Sequence, residues 1–181
     1  MRIISGKFKG RRFDPPLKKC NTRPTMEMAK EALFNILYNS YDFECISVAD
    51  LFGGTGSISL EFVSRDCRNV TWVENFYICN QFIKEVKRKL EIGDELKIVK
   101  NDVIRFLSNT NKKFDIIFAD PPYNYRHNKI IIDLIFEREL IKEGGVFIFE
   151  HDKRNDFSIY PNFIQLKTYG TNRFSIFSPT L

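Results

Sequence analysis

The chain of 181 residues has few side chains suited to cross-linking or metal binding. Its four cysteines, Cys20, Cys45, Cys67 and Cys79, are scattered without a CxxC pair, and only His127 and His151 are present to join them as ligands. This speaks against a disulfide framework and gives no metal site to expect, so the thiols read as reduced in a reducing compartment. No apolar run approaches membrane-spanning length, and no apolar stretch of signal-peptide length follows the basic N-terminus. A cytoplasmic protein without a membrane partner is the expectation. Acid is nearly missing from the first 25 positions, where Arg2, Lys7, Lys9, Arg11, Arg12, Lys18, Lys19 and Arg23 face Asp14 alone. That end carries a net of +7, and the other 156 residues sum to −2. A basic arm on a near-neutral body suits a polyanion such as nucleic acid; a lysine-rich solvated surface is the other reading.

What is present is enough for one core. At 43% hydrophobic and 14% aromatic the chain reads as a single domain over 1–181, divided into a basic extension at 1–45 and a core at 46–181. A monomer is expected. Residues 2–13, "RIISGKFKGRRF", alternate short extended runs with Gly6 and Gly10 and read as a β-hairpin. "RPT" at 23–25 looks like a helix start, with Thr25 as N-cap and Ala29, Leu33, Ile36 and Leu37 on one face. From Ile46 the pattern alternates: strands at 46–52, 69–74, 96–100, 114–119 and 145–150, separated by helices at 57–65, 76–91, from 102, and at 128–141. That βα alternation predicts an α/β fold with a mostly parallel sheet. Two final runs, 163–169 and 173–178, joined by "GTN", read as a hairpin that adds one antiparallel strand.

In such a sheet ligands bind beyond the carboxyl ends of the strands. Four ends are polar or glycine-rich. In "ADLFGGTGS", Asp50 precedes a turn of Gly53, Gly54 and Gly56, where missing side chains let the backbone approach a ligand or simply turn tightly. Ser59 breaks the dinucleotide fingerprint. Glu74, 20 residues after Gly54, suits a carboxylate accepting from ribose hydroxyls, as in nicotinamide and adenosylmethionine enzymes; it also suits a helix N-terminus with Asn75 as cap. Asp102 has two readings as well, an acceptor for an adenine amino group or a helix cap.

The fourth end is "FADPPYN", where two prolines follow Asp120. Each proline fixes its own φ and holds its predecessor extended, so Asp120-Pro121-Pro122 is rigid and cannot donate a full ladder of bonds. Its carbonyls and the Asp120 carboxylate become acceptors for a ligand, and Tyr123 offers a flat face. Two acceptors on the hydrogens of an exocyclic amino group would localise its lone pair on an incoming methyl group. A rigid loop with a buried tyrosine is the structural alternative.

"DLFGGTGS", "VEN", "ND" and "DPPY", in this order, resemble the amino-directed class I methyltransferases that use S-adenosylmethionine, with their Rossmann-like, seven-stranded sheet. The hairpin followed by "RPTMEMAKEALFNIL" is similar to the RsmD-type 16S rRNA (guanine-N2) methyltransferases, and the likeness covers nearly the whole chain. It implies that Asp50, Phe52 and the Gly53 to Gly56 turn meet the methionine part of the cofactor. It also implies Glu74 with Asn75 at the ribose and Asp102 with the Val103 N–H at the adenine. Asp120 and the Pro121 carbonyl, followed by Pro122, would hold a guanine amino group, with Tyr123 stacked on the base. Arg2, Lys7, Lys9, Arg11, Arg12 and Arg23 would lie on RNA phosphates of 16S rRNA or the small ribosomal subunit. The family commonly has Gly where Ser59 and Asp66 stand, and a Gly close after the tyrosine, where this chain reads "NYRHN". A DNA adenine-N6 methyltransferase is the nearest alternative, but about 45 residues outside the sheet leave little room for a recognition domain. A release-factor glutamine methyltransferase would show "NPPY"; a nicotinamide oxidoreductase leaves "DPPY" unexplained, and a non-catalytic RNA-binding module leaves the glycine turn and Asp120 unexplained.

Overall fold

The computed structural model describes residues 1–16 and 27–179. Its core is a seven-stranded sheet of β1 (Ser47–Leu51), β2 (Asn69–Val73), β3 (Leu96–Val99), β4 (Phe114–Ala119), β5 (Ile141–His151), β6 (Phe163–Tyr169) and β7 (Asn172–Phe177), in the order β3-β2-β1-β4-β5-β7-β6. The first five strands run parallel, and β7 pairs antiparallel with both β5 and β6, so it alone is reversed. The central strands are buried on both faces, which is why "FDIIFA" and "SVADL" read as near-continuous apolar runs rather than alternating ones.

Helices α1 (Glu27–Tyr38), α2 (Ser57–Ser64), α3 (Tyr77–Lys89), α4 (Val103–Asn109) and α5 (Asn128–Glu137) cover the sheet. Leu33 of α1, Phe62 of α2 and Ile83 of α3 join Val48, Trp72 and Phe118 in one core cluster. Leu107 of α4 and Ile131 of α5 join Ala49, Ile117 and Phe147 in the other. Alternate residues of each strand thus feed opposite layers.

Two boundaries differ from those expected. Helix α5 stops at Glu137 because Glu139 takes the left-handed conformation (φ 49°) and Leu140 N–H turns back to the Ile135 carbonyl. Strand β5 therefore starts early, at Ile141, paired with Phe114 across a register shift. The Thr25 cap and Arg23 lie outside the described residues.

The basic arm is a minimal hairpin with a single bridge, Arg2 to Arg12, supported by Ile3 N–H to the Arg11 carbonyl and Gly10 N–H to the Ile3 carbonyl. It is moored to α2: Lys7 N–H reaches the Ser64 carbonyl at 2.7 Å, Phe8 N–H its hydroxyl at 3.0 Å, and Ile4 N–H the Glu61 carboxylate at 2.5 Å. Glu61 is fully buried beside Lys30 of α1 (3.0 Å) and Arg65, and Lys30 also donates to the Arg2 carbonyl and the Ser57 hydroxyl. Arm, α1 and α2 thereby share one buried ionic joint.

Candidate active site

The register sets the site. Leu51 lies opposite both Val73 and Ala119, Val73 opposite Val99, and Ala119 opposite Phe149, so four parallel strands end level on one edge. Asp50, Glu74, Asp102 and Asp120 thus belong to one rim, with the order of the strands reversing between β1 and β4.

Asp50 sits just below that rim, 2% exposed, and one of its oxygens accepts from both the backbone N–H and the hydroxyl of Ser59. Burial pushes its carboxyl up to about 7, against the pull of the Ser59 hydrogen bonds and with the help of the nearby Glu74 charge. The sequence treated Ser59 as a departure from a fingerprint. Its place in the first turn of α2, one helical turn beyond the glycines, makes it the partner of Asp50.

The glycine turn is pressed onto the sheet. Gly53 N–H bonds the Val73 carbonyl, Gly56 N–H bonds the Gly53 carbonyl, and Gly54 and Gly56 both have positive φ. A side chain at Gly53 would stand 2.2 Å from the Trp72 ring, and one at Gly56 2.2 Å from Ile83. Just before these glycines, Phe52 is itself left-handed (φ 58°), a strained choice for an aromatic residue that is tolerated only where its surroundings fix it. Its ring meets that of Tyr125 edge-on at 4.9 Å.

Glu74 braces two segments at once, accepting from Gly54 N–H (3.2 Å) and from Phe76 N–H (2.9 Å). Asn75 is exposed and does not cap α3, whose N-cap Phe76 has no side-chain cap bond; Glu74 holds that start instead. Asp102 does cap α4, through the Arg105 N–H, so the capping reading of this residue is observed. Val103, the first residue of α4, is 3% exposed.

At the end of β4, Asp120 N–H still reaches the Leu51 carbonyl at 3.4 Å, which ties "DPPY" to the strand that carries the glycine turn. Pro121 is buried, whereas Pro122 and Tyr123 are exposed. The Pro122 carbonyl accepts from Tyr125 N–H at 2.8 Å, which closes a turn directly after the two prolines. Tyr123 is 51% exposed, and its ring lies 5.9 Å from the Arg154 guanidinium, which also donates to the Tyr123 carbonyl. Two residues passed over in the sequence, Tyr125 and Arg154, therefore border the rim. Burial pushes the Tyr125 phenol up to about 12, with the Asp102 charge adding to it.

Of the side chains without an assigned role, His127 lies edge-on to Tyr125 at 5.6 Å and Arg126 is exposed. His151 is a buried packing residue between the Ser175 hydroxyl and the Asp152 carbonyl, and desolvation holds its pKa below the usual range. In the arm, Arg2 pairs with Glu27, and Lys7 lies 3.8 Å and 3.9 Å from Asp66 and Glu95, while Lys9, Arg11 and Arg12 are exposed. Asp66 has φ 69°, which explains why a glycine suits that position. Among the described residues, no group of three His, Cys, Asp or Glu is placed to hold a metal ion, and no helix is long and apolar enough to cross a membrane.

A sheet of this order, with one reversed strand, is that of the class I methyltransferases, and the chain is a methyltransferase. It belongs to the RsmD family: the family model described as Conserved hypothetical protein 95 matches residues 1–178. It is 31% identical to ribosomal RNA small subunit methyltransferase D of Buchnera aphidicola subsp. Baizongia pistaciae, covering 96% of this chain and 88% of that protein. It is 29% identical to the protein of the same name from Haemophilus influenzae, covering 94% and 89%. A solved hypothetical protein of Thermus thermophilus has the same fold, with a TM-score of 0.85 over 98% of both chains at 24% identity.

Proposed function

We propose that the chain methylates the exocyclic N2 amino group of one guanine in 16S rRNA, taking the methyl group from S-adenosylmethionine. The observation that carries this reading is the hydrogen bond from Asp120 N–H to the Leu51 carbonyl, which sets Asp120 beside the glycine turn at adjacent strand ends. The names of the small-subunit rRNA relatives supply the substrate class.

The donor set fits such a cofactor. Two carboxylates, Glu74 and Asp102, succeed one another on the rim, suited to ribose hydroxyls and an adenine amino group, and the buried Asp50 lies just below them on the side of the methionine part, where it fastens the glycine turn through Ser59. A carboxylate has about four acceptor positions, so bracing Gly54 and Phe76 leaves Glu74 with capacity for hydroxyls, and capping α4 leaves Asp102 with capacity for an amino group. S-adenosylmethionine, when bound, supplies an electrophilic methyl group.

The remaining work belongs to the β4 end. A guanine amino nitrogen is a poor nucleophile because its lone pair is delocalised into the ring. Asp120 and the Pro121 carbonyl accept hydrogen bonds from its two N–H groups and localise that pair; as the new N–C bond forms, the methyl–sulfur bond breaks, and the amino group gives up one proton to the Asp120 carboxylate, while Tyr123 stacks on the base and contributes about 1–3 kcal/mol toward holding it. Positioning supplies much of the acceleration, for which about 7–11 kcal/mol is available in well-oriented reactions. The exposed Lys9, Arg11 and Arg12 contact RNA phosphates, and Arg2, Lys7 and Arg23 belong to the same set.

The test is transfer of label from the cofactor to small ribosomal subunits lacking the modification, with duplex DNA in parallel. Label in rRNA is expected; label in DNA with none in rRNA would overturn the reading in favour of a DNA adenine-N6 enzyme.

A further inference from the structure

Between arm residues 12–16 and the outer face of α3 lies a groove of about 730 Å³. Its walls carry Arg12, Lys84, Arg88 and Lys89 against two acids, Asp14 and Glu85, and Glu85 is already held by Lys89 at 2.7 Å. The last turn of α3 contains three basic residues, but Lys87 turns aside to donate to the Leu96 carbonyl. The cations left at the groove are exposed, and two half-buried rings, Phe13 and Phe82, line it between them.

We infer that this groove is a second RNA contact, a track for the phosphates of a strand leading away from the target base. The inference rests on the RNA reading above but adds the α3 side of the groove, which lies outside the basic arm. Three features favour a nucleic-acid strand. Positive charge exceeds negative along the walls, and it is continuous with the exposed Arg11 and Arg12 of the arm. Aromatic rings interleaved with cations offer stacking as well as phosphate contact. The groove also leads from the active rim: α3 starts three residues after Glu74, and Ile78 to Lys89 spans about 16 Å along the helix axis, away from the strand ends.

The test is a double charge reversal, Lys84→Glu with Arg88→Glu, on two exposed side chains of α3. Binding to a 16S rRNA transcript is measured by anisotropy over a range of salt, with melting temperature and cofactor binding as checks on folding. A loss of about tenfold or more near physiological salt is expected, with a salt dependence shallower by about 1.4 for two single-strand phosphate contacts. The neutral pair Lys84→Gln with Arg88→Gln should move both quantities less and in the same direction, and Lys113→Glu elsewhere on the surface should move neither. Unchanged affinity and slope in a variant that still folds would overturn the groove while leaving the arm's role intact. Tighter binding to poly-glutamate than to RNA would also overturn it, marking an acidic protein segment as the occupant. A wild-type protein with no RNA affinity would remove the underlying reading as well.

Discussion

Ser59 gives two hydrogen bonds to a single oxygen of Asp50, its backbone N–H at 3.0 Å and its hydroxyl at 2.6 Å, in a place where neither residue meets solvent. The pair fastens the end of β1 to the first turn of α2 and so fixes both sides of the glycine turn. Replacing Ser59 by alanine keeps the N–H and removes the hydroxyl. It should destabilise the fold by about 1–3 kcal/mol and weaken cofactor binding. Thermal melting and calorimetric titration measure the two effects; a variant unchanged in both would reduce Ser59 to packing.

Asp50 carries a pH signature. Its folded pKa, about 7, is raised above the unfolded 3.8 by burial, so the fold prefers the neutral carboxyl. Its contribution is fully present below the unfolded value and is lost as pH rises through the folded one, an effect of the order of 4 kcal/mol. Between about pH 4 and pH 7 the wild-type melting temperature should fall more steeply than that of Asp50→Asn. Parallel profiles would show that Asp50 is ionised in the fold throughout this range.

Gly6 makes the arm's docking turn. Its φ is +79°, and a side chain there would stand 1.7 Å from the Ser64 carbonyl oxygen, a backbone atom that cannot step aside. Gly6→Ala should lift the turn off α2, lose the bonds from Lys7 and Phe8, and cost about 2–4 kcal/mol. Proteolysis at the arm would report the detachment. Deleting residues 1–12 is a poorer probe of RNA binding, because it would also expose core around the buried Ile3.

Arg154 braces the loop that carries Tyr123. It pairs with Asp152 at 2.5 Å and reaches the carbonyl of Tyr123 at 3.5 Å. Arg154→Ala should raise the KM for the RNA several-fold by loosening the stacking proposed for Tyr123, while cofactor affinity stays unchanged. Equal loss in both would mean that the residue supports the whole rim.

The fold was legible from Ile46 onward because buried parallel strands leave apolar runs with helical periods between them, and the reversed β7 announced itself by a hairpin with no helix. Where the boundaries moved, backbone conformation was responsible: a left-handed Glu139 ends α5 early, and nothing in a glutamate signals that. At the site, the strand-end acids were legible from their positions, since level strand ends follow from the βα pattern. Ser59 was missed as a partner because its meaning depends on which way the first turn of α2 faces, and Tyr125 and Arg154 because a loop fold, not a spacing, brings them to the rim. The arm's charge was visible, but its mooring on Glu61 and Ser64 is a long-range contact that charge counting does not reveal.

The atom that receives the methyl group distinguishes an rRNA guanine enzyme from its alternatives. Small subunits lacking the modification, treated with labelled cofactor and the protein, can be digested to nucleosides and resolved by mass spectrometry. Guanine-N2 methylation predicts label in N2-methylguanosine from 16S rRNA, abolished by Asp120→Ala in a protein that still binds the cofactor. Label in N6-methyladenosine, or undiminished transfer by that variant, would contradict it.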